Sequence, residues 1–143
     1  MAKSIILDIK LKYLALLLSG RKSVELRRSH PAAGGTAPGQ ILYLARLGAI
    51  RGQVTIDAIN FEGIHTLDPP MAFAIAYADR ACLTTQEAID YMDGARSPAA
   101  YTVSHPISYR HPVPCQQKIP NSWCYISPAL QRLCQIQAAI AQR

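Results

Sequence analysis

No two of the four cysteines, Cys82, Cys115, Cys124 and Cys134, form a C-x-x-C pair. That spacing speaks against a zinc site and against a dithiol redox motif. His30, His65, His105 and His111 are scattered, with neither an H-x-x-x-H nor an H-E-x-x-H arrangement, so no metal and no cofactor are expected. Long apolar runs are also missing. The stretch Tyr13–Leu18 is too short to cross a bilayer and is flanked by charge. The first residues do not read as a signal peptide, so the expectation is a cytoplasmic protein with no membrane partner. Its thiols would then be reduced and act as small core residues. There are no internal repeats and no internal domain boundary.

Acidic residues are few. Nine Asp and Glu stand against fifteen Lys and Arg, giving a net charge of +6 and a pI near 9.4. A basic excess in a small domain suits an anionic partner, and nucleic acid is the commonest. Many small basic proteins bind nothing anionic, so charge alone leaves both readings open. With 143 residues, half of them hydrophobic and 17% charged, the chain is long enough for one domain with one substantial core.

Ser4–Ile9 reads as a short strand, and Lys10–Ser19 as a helix with Tyr13, Leu14, Leu17 and Leu18 on its apolar side. Gly20 stops that helix, and Ser23–Arg28 alternates as a strand. The stretch His30–Gly39 holds prolines and glycines that exclude regular structure, and as a loop beside a charged strand it is a candidate lid. Gln40–Arg46 and Arg51–Phe61 read as strands joined by a tight reversal at Leu47-Gly48-Ala49-Ile50. Thr66-Leu67-Asp68-Pro69-Pro70 opens a helix through Phe73, Ile75 and Tyr77. Thr84 and Glu87 have the spacing of a capping box, and Gly94 suits the left-handed end of that second helix. Tyr101–Tyr109 and Trp123–Ser127 are late strands, where Pro106, Pro112, Pro114 and Pro120 imply edges or bulges. Pro128–Gln142 is a C-terminal helix with Leu130, Leu133, Ile136 and Ile140 as its apolar seam. This order fits an α+β domain, a small, mainly antiparallel β-barrel with flanking helices.

The richest stretch for chemistry is Gly20-Arg21-Lys22-Ser23-Val24-Glu25-Leu26-Arg27-Arg28. Strand alternation sends Val24 and Leu26 one way and Ser23, Glu25 and Arg27 the other, with Lys22 at the mouth. A carboxylate beside a lysine or arginine acts as a general base or orients one. Lysine also binds phosphate or polarises a carbonyl. Ser23 is a nucleophile only if a base reaches it, and no triad pattern surrounds it. The competing structural reading is a solvated strand face with Glu25 paired to an arginine. His30 is the histidine best placed to join a cleft. Trp123, with Tyr101, Tyr109 and Tyr125, offers either stacking surfaces for bases or core, and one of Trp123 and Tyr125 is expected in the core. Arg46, Arg51, Arg80, Arg96 and Arg110 form either a basic rim or ordinary surface.

Leu7–Pro31, LDIKLKYLALLLSGRKSVELRRSHP, resembles the opening of the ASCH domain family: a strand, a helix with I-K-x-K-Y, then G-x-K-x-x-E-x-R. GQILYLA and IRGQVTIDAI are similar to its paired barrel strands, AYTVSHPISYRHPVP to a later strand, and IPNSWCYIS to its closing aromatic strand. The likeness spans roughly residues 4–127. The expected division is therefore residues 1–127 as the ASCH domain and 128–143 as a helix packed on it or extending it. The resemblance implies a PUA-like fold, nucleic-acid-associated roles, and a cleft beside the G-x-K-x-x-E-x-R strand, where Lys22, Glu25 and Arg27 match. It implies enzymes too, since some relatives hydrolyse N4-acylated cytidine and others act as ribonucleases. The amidohydrolase type has a threonine nucleophile three residues after the lysine, and here Glu25 stands in that place.

Three readings follow. The first is an RNA-, nucleotide- or nucleoside-binding module whose ligand contacts are Lys22, Ser23, Glu25, Arg27, Arg28 and Arg46. The second is a metal-independent hydrolase of RNA or N4-acylated cytidine nucleosides, with Lys22 and Glu25 as acid–base partners. The third is a protein-interaction or regulatory domain whose charged face is only solvated.

Overall fold

β1 (Ile5–Asp8) is buried along Ile5-Ile6-Leu7, as an unbroken apolar run inside a sheet requires. It lies parallel to β3 (Ile41–Arg46) and antiparallel to β6 (Trp123–Tyr125). β4 (Ala49–Asn60) pairs with β3, β5 (Ala99–Pro114) with β4, and β2 (Val24–Arg27) with the first residues of β5. The order β2-β5-β4-β3-β1-β6 makes one mixed, mainly antiparallel sheet of six strands, curled as a half-barrel. The helices α1 (Leu11–Leu18), α2 (Pro69–Tyr77), α3 (Thr85–Met92) and α4 (Pro128–Ala141) flank it. This computed structural model describes residues 3–28, 37–60, 68–119 and 123–143. His30, His65, Thr66, Leu67, Pro120 and most of the proposed lid loop lie outside the described residues. The α+β, PUA-like architecture expected from the sequence is the one present.

Local signals explain most boundaries. Gly20, at φ +82°, ends α1, and the Lys22 N–H then bonds back to the Leu16 carbonyl at 3.0 Å, which tucks Lys22 under the helix. Both bonds of the capping box form: Glu87 N–H donates to Thr84 Oγ1 at 3.0 Å and Thr84 N–H to Glu87 Oε1 at 2.9 Å. Leu47 and Gly48, at φ +53° and +75°, make the two-residue reversal between β3 and β4. Pro106 and Pro112 fall at two of the three places where the register of β5 against β4 shifts, around His105–Pro106 and across residues 109–112, so the strand absorbs them as bulges, while Pro114 pairs with Ala49 at the strand's end. α1 rests on the sheet at Gly52, where a Cβ would stand 2.5 Å from Leu18 Cδ2 and 2.6 Å from the Ile107 carbonyl oxygen.

Three apolar clusters hold these parts together. α1 and the inner sheet share Leu14, Leu17, Leu44 and Tyr101. α2 and α3 close over β2 through Phe73, Ala88 and Met92 against Val24 and Leu26. α4 packs on β5 and the sheet's other face through Cys134, with Leu130 and Ala138 beside it and Tyr43 and Tyr109 beneath. The seam expected for α4 is displaced from the observed one. Leu133 and Ile136 are 49% and 54% exposed, because the sheet offers two bulky tyrosines there and only a small side chain such as Cys134 lets the helix approach. Trp123 and Tyr125 also differ from expectation. Two residues apart on a strand, they share a face; both are half-buried and meet edge-to-face at 5.3 Å, so neither one alone is the core member. Among the described residues, no helix is long and apolar enough to cross a membrane.

Candidate functional site

β2 has two faces with different fates. Val24 and Leu26 anchor the α2–α3 core, while Glu25 and Arg27 open into a cleft of about 470 Å³ between β2, the end of β1, α1 and α3. The link between α2 and α3 fixes the approach to this strand. The Arg80 carbonyl accepts from Ser23 N–H at 3.0 Å and Val24 N–H at 3.2 Å, and the Ala81 carbonyl accepts from Lys22 Nζ at 2.8 Å. Lys22 Nζ also sits 3.3 Å from Glu25 Oε1 and 5.2 Å from the centre of the Tyr13 ring. The other Glu25 oxygen, Oε2, accepts from Arg27 Nη1 at 3.1 Å.

These three side chains are only 3%, 9% and 11% exposed. Burying charges is costly, and mutual pairing offsets the cost only in part. A well-packed apolar wall would be cheaper, so a lysine–carboxylate–arginine chain lining a cavity points to a site. Tyr13 flanks it from α1. Tyr91 flanks it from α3: it is 40% exposed as a whole, while burial of its hydroxyl raises its pKa, Arg27 and Arg28 opposing that rise and Glu25 adding to it. Two phenols thus line the cleft; the Tyr13 ring carries the Lys12 and Lys22 ammonium groups at 5.5 and 5.2 Å, and Tyr91 is the ring that can offer a face to a flat ligand.

The cleft is not basic, although the chain is. Among the described residues its walls carry four carboxylates, Asp8, Glu25, Glu87 and Asp90, and four cations, Lys10, Lys22, Arg27 and Arg46. A groove that tracks a polyphosphate chain needs a clear positive excess. Balanced charge suits a ligand read by its ring and hydroxyl edges, with few phosphate contacts.

The candidates named from the sequence divide cleanly. Lys22, Glu25, Arg27 and Arg46 line the cleft together. Ser23 does not; its backbone serves the sheet, the carbonyl accepting from Val103 N–H at 2.9 Å. Arg28 lies past the end of β2 and is exposed, with Nη2 donating to the Asp93 carbonyl at 2.8 Å, where a cation suits the end of α3. Arg80 stacks on Tyr77 at 4.9 Å, and Arg51 Nε donates to the Arg46 carbonyl at 2.8 Å, so neither lines the cleft. Arg96 and Arg110 are absent from it as well. Asp8, Tyr13 and Tyr91 were not singled out beforehand. Tyr91 carried a signal: Glu87, Asp90 and Tyr91 share one face of α3 at i, i+3 and i+4. Among the described residues, no three His, Cys, Asp or Glu are placed to hold a metal ion.

No protein-family profile matches the chain, and no curated protein sequence does. Solved structures do. The ASCH protein from Zymomonas mobilis is 19% identical, superposes with a TM-score of 0.71, and is matched over 91% of this chain and 92% of that one. A tyrosine-to-phenylalanine variant of it gives 20% identity and a TM-score of 0.72 over 94% and 98% of the two chains. A serine-to-alanine variant gives 18% identity and 0.75 over 94% and 96%. Likeness at this level of identity speaks for the fold, over nearly the full length of both chains.

Proposed function

We propose that this chain, which has the fold of the ASCH proteins, binds a nucleotide or a short single-stranded RNA fragment in the cleft walled by Lys22, Glu25 and Arg27. The observation that carries the reading is the buried chain of charges lining the cleft, with Tyr13 and Tyr91 on the same walls. Stacking on a phenol such as Tyr91 holds a base by its face, at about 1–3 kcal/mol per base by analogy with single-strand binders. Carboxylates such as Glu25 and Asp8 accept hydrogen bonds from an exocyclic amine or a ribose hydroxyl. The charge balance of the cleft favours one or two nucleotides over a long strand.

Calorimetric titration of the protein with the four ribonucleosides and a single-stranded RNA hexamer tests this. At least one should bind, and Glu25→Gln or Tyr91→Ala should weaken it at least tenfold. Equal binding by wild type and both variants would remove the cleft from consideration.

A hydrolase reading has one observation of its own: Lys22 and Glu25, paired at 3.3 Å, line the same cavity, so a substrate atom lying against the pair is within reach of both. Incubation with RNA and with N4-acylated cytidine, in the presence of chelator, separates the two. Turnover that Glu25→Gln abolishes makes the chain an enzyme, and its absence alongside binding leaves a binding module.

A further inference from the structure

We infer that the cleft continues past Arg46 into a second subsite, and that the ligand is an oligoribonucleotide of at least two residues whose linking phosphate rests on Arg46. The inference depends on the nucleotide reading of the main cleft and extends it. β1 and β3 run parallel and end side by side, at Asp8 and Arg46. Beyond them lies a second depression of about 300 Å³, lined by the Leu47–Gly48 turn, Cys115 and Gln117. Asp8 and Arg46 line both cavities, so the two are adjacent along one path.

Arg46 is built to accept an anion at that divide. Its Nη1 reaches Asp8 Oδ2 only at 3.5 Å, a loose pair for a side chain 35% exposed. Its Nε is buried and has no hydrogen-bond partner among the described residues. The part-exposed end of the guanidinium, held by that one loose pair, can turn its remaining N–H groups to a phosphate, which it grips in the planar, forked geometry that guanidinium prefers. The cations of the main cleft floor are committed differently, with Lys22 and Arg27 both held on Glu25. Beyond the divide, Leu47 is 69% exposed and held at φ +53°, where glycine or asparagine would be less strained. Its side chain gives the second depression an apolar edge against which a second base can lie.

The test compares the four ribonucleosides with the dinucleoside monophosphates ApA, CpC, GpG and UpU, and with their uncharged methylphosphonate-linked forms, by calorimetry on the full chain. The expected result is at least one phosphodiester dinucleotide binding about tenfold tighter than its nucleoside, with that gain lost in the methylphosphonate. In Arg46→Gln the preference for phosphodiester over methylphosphonate should vanish. If that variant does not fold, the wild-type comparison of the two linkages decides alone. Nucleosides binding as tightly as dinucleotides, or both linkages binding alike, would overturn the second subsite and leave the main cleft standing. If no nucleoside or dinucleotide binds, the nucleotide reading falls and this inference with it.

Discussion

Replacing Glu25 with glutamine should cost about 3 kcal/mol of folding stability, because it strands a charge already removed from water. Lys22 is 4% exposed, and without the carboxylate it retains, among the described residues, the Ala81 carbonyl and the Tyr13 ring. Arg27 is less affected, since it has a further interaction besides Glu25. Lys22→Met should cost less, about 1–2 kcal/mol, since the aliphatic stem is kept and Glu25 still has Arg27 at 3.1 Å. In the double variant the glutamine amide faces Arg27 alone and satisfies it, so the two losses should not add. The coupling should be about 2 kcal/mol. Urea unfolding followed by Trp123 fluorescence measures it as a shift in midpoint at constant slope. At roughly 3 °C per kcal/mol for a chain of this size, Glu25→Gln should also melt about 9 °C lower. Additive single losses, or a Glu25→Gln cost below about 0.5 kcal/mol, would refute the idea that these charges are buried and interdependent.

Three further outcomes follow from the same geometry. Leu47→Asn should stabilise the chain by about 1 kcal/mol in urea melts by relieving the left-handed backbone at the β3–β4 turn, while weakening dinucleotide binding. The backbone and hydroxyl of Thr84 hold the Glu87 carboxyl below the usual range, so Glu87 stabilises the fold above its unfolded pKa and that contribution is lost as pH falls through its folded one; carboxyl titration by NMR should show a depressed value that Thr84→Ala, which removes the hydroxyl and keeps the backbone N–H, raises only part of the way back. Burial pushes the Cys134 thiol up to about 11 from 9.0, so it favours the folded state below pH 9 and that contribution disappears as pH rises through 11; at pH 8 it should be the last cysteine to react with a thiol reagent, after Cys82, Cys115 and Cys124.

Features governed by neighbours in sequence were legible before the structure. The stops at Gly20 and Gly94, the capping box of Thr84 and Glu87, and the reversal at Leu47–Gly48 depend on a few consecutive dihedrals, and each is found where the pattern placed it. The division of β2 between Val24 and Leu26 on one side and Glu25 and Arg27 on the other follows from the two-residue period of a strand. What the pattern could not supply is what comes to meet that strand. Asp8, Tyr13 and Tyr91 reach the cleft from three other elements, and only the packing of α1 and α3 brings them there. Arg28 looked equivalent to Arg27 but is carried past the end of β2 to the end of α3. On α4, hydrophobicity alone favoured Leu133 and Ile136, whereas the tyrosines on the sheet selected the smaller Cys134. Helical periodicity states how many residues face inward, and the partner surface decides which.

The central claim is that the cleft between β2, α1 and α3 holds a nucleotide. Titration of the isotope-labelled chain with a single-stranded RNA hexamer, followed by amide NMR shifts, tests it most directly. The account predicts saturable shifts concentrated at Ile9, Tyr13, Glu25, Leu26, Arg27 and Tyr91, which disappear in Tyr91→Ala and weaken with added salt by no more than one or two phosphate contacts would allow. An absence of shifts, or shifts centred instead on the exposed face of α4 around Leu133 and Ile136, would contradict it.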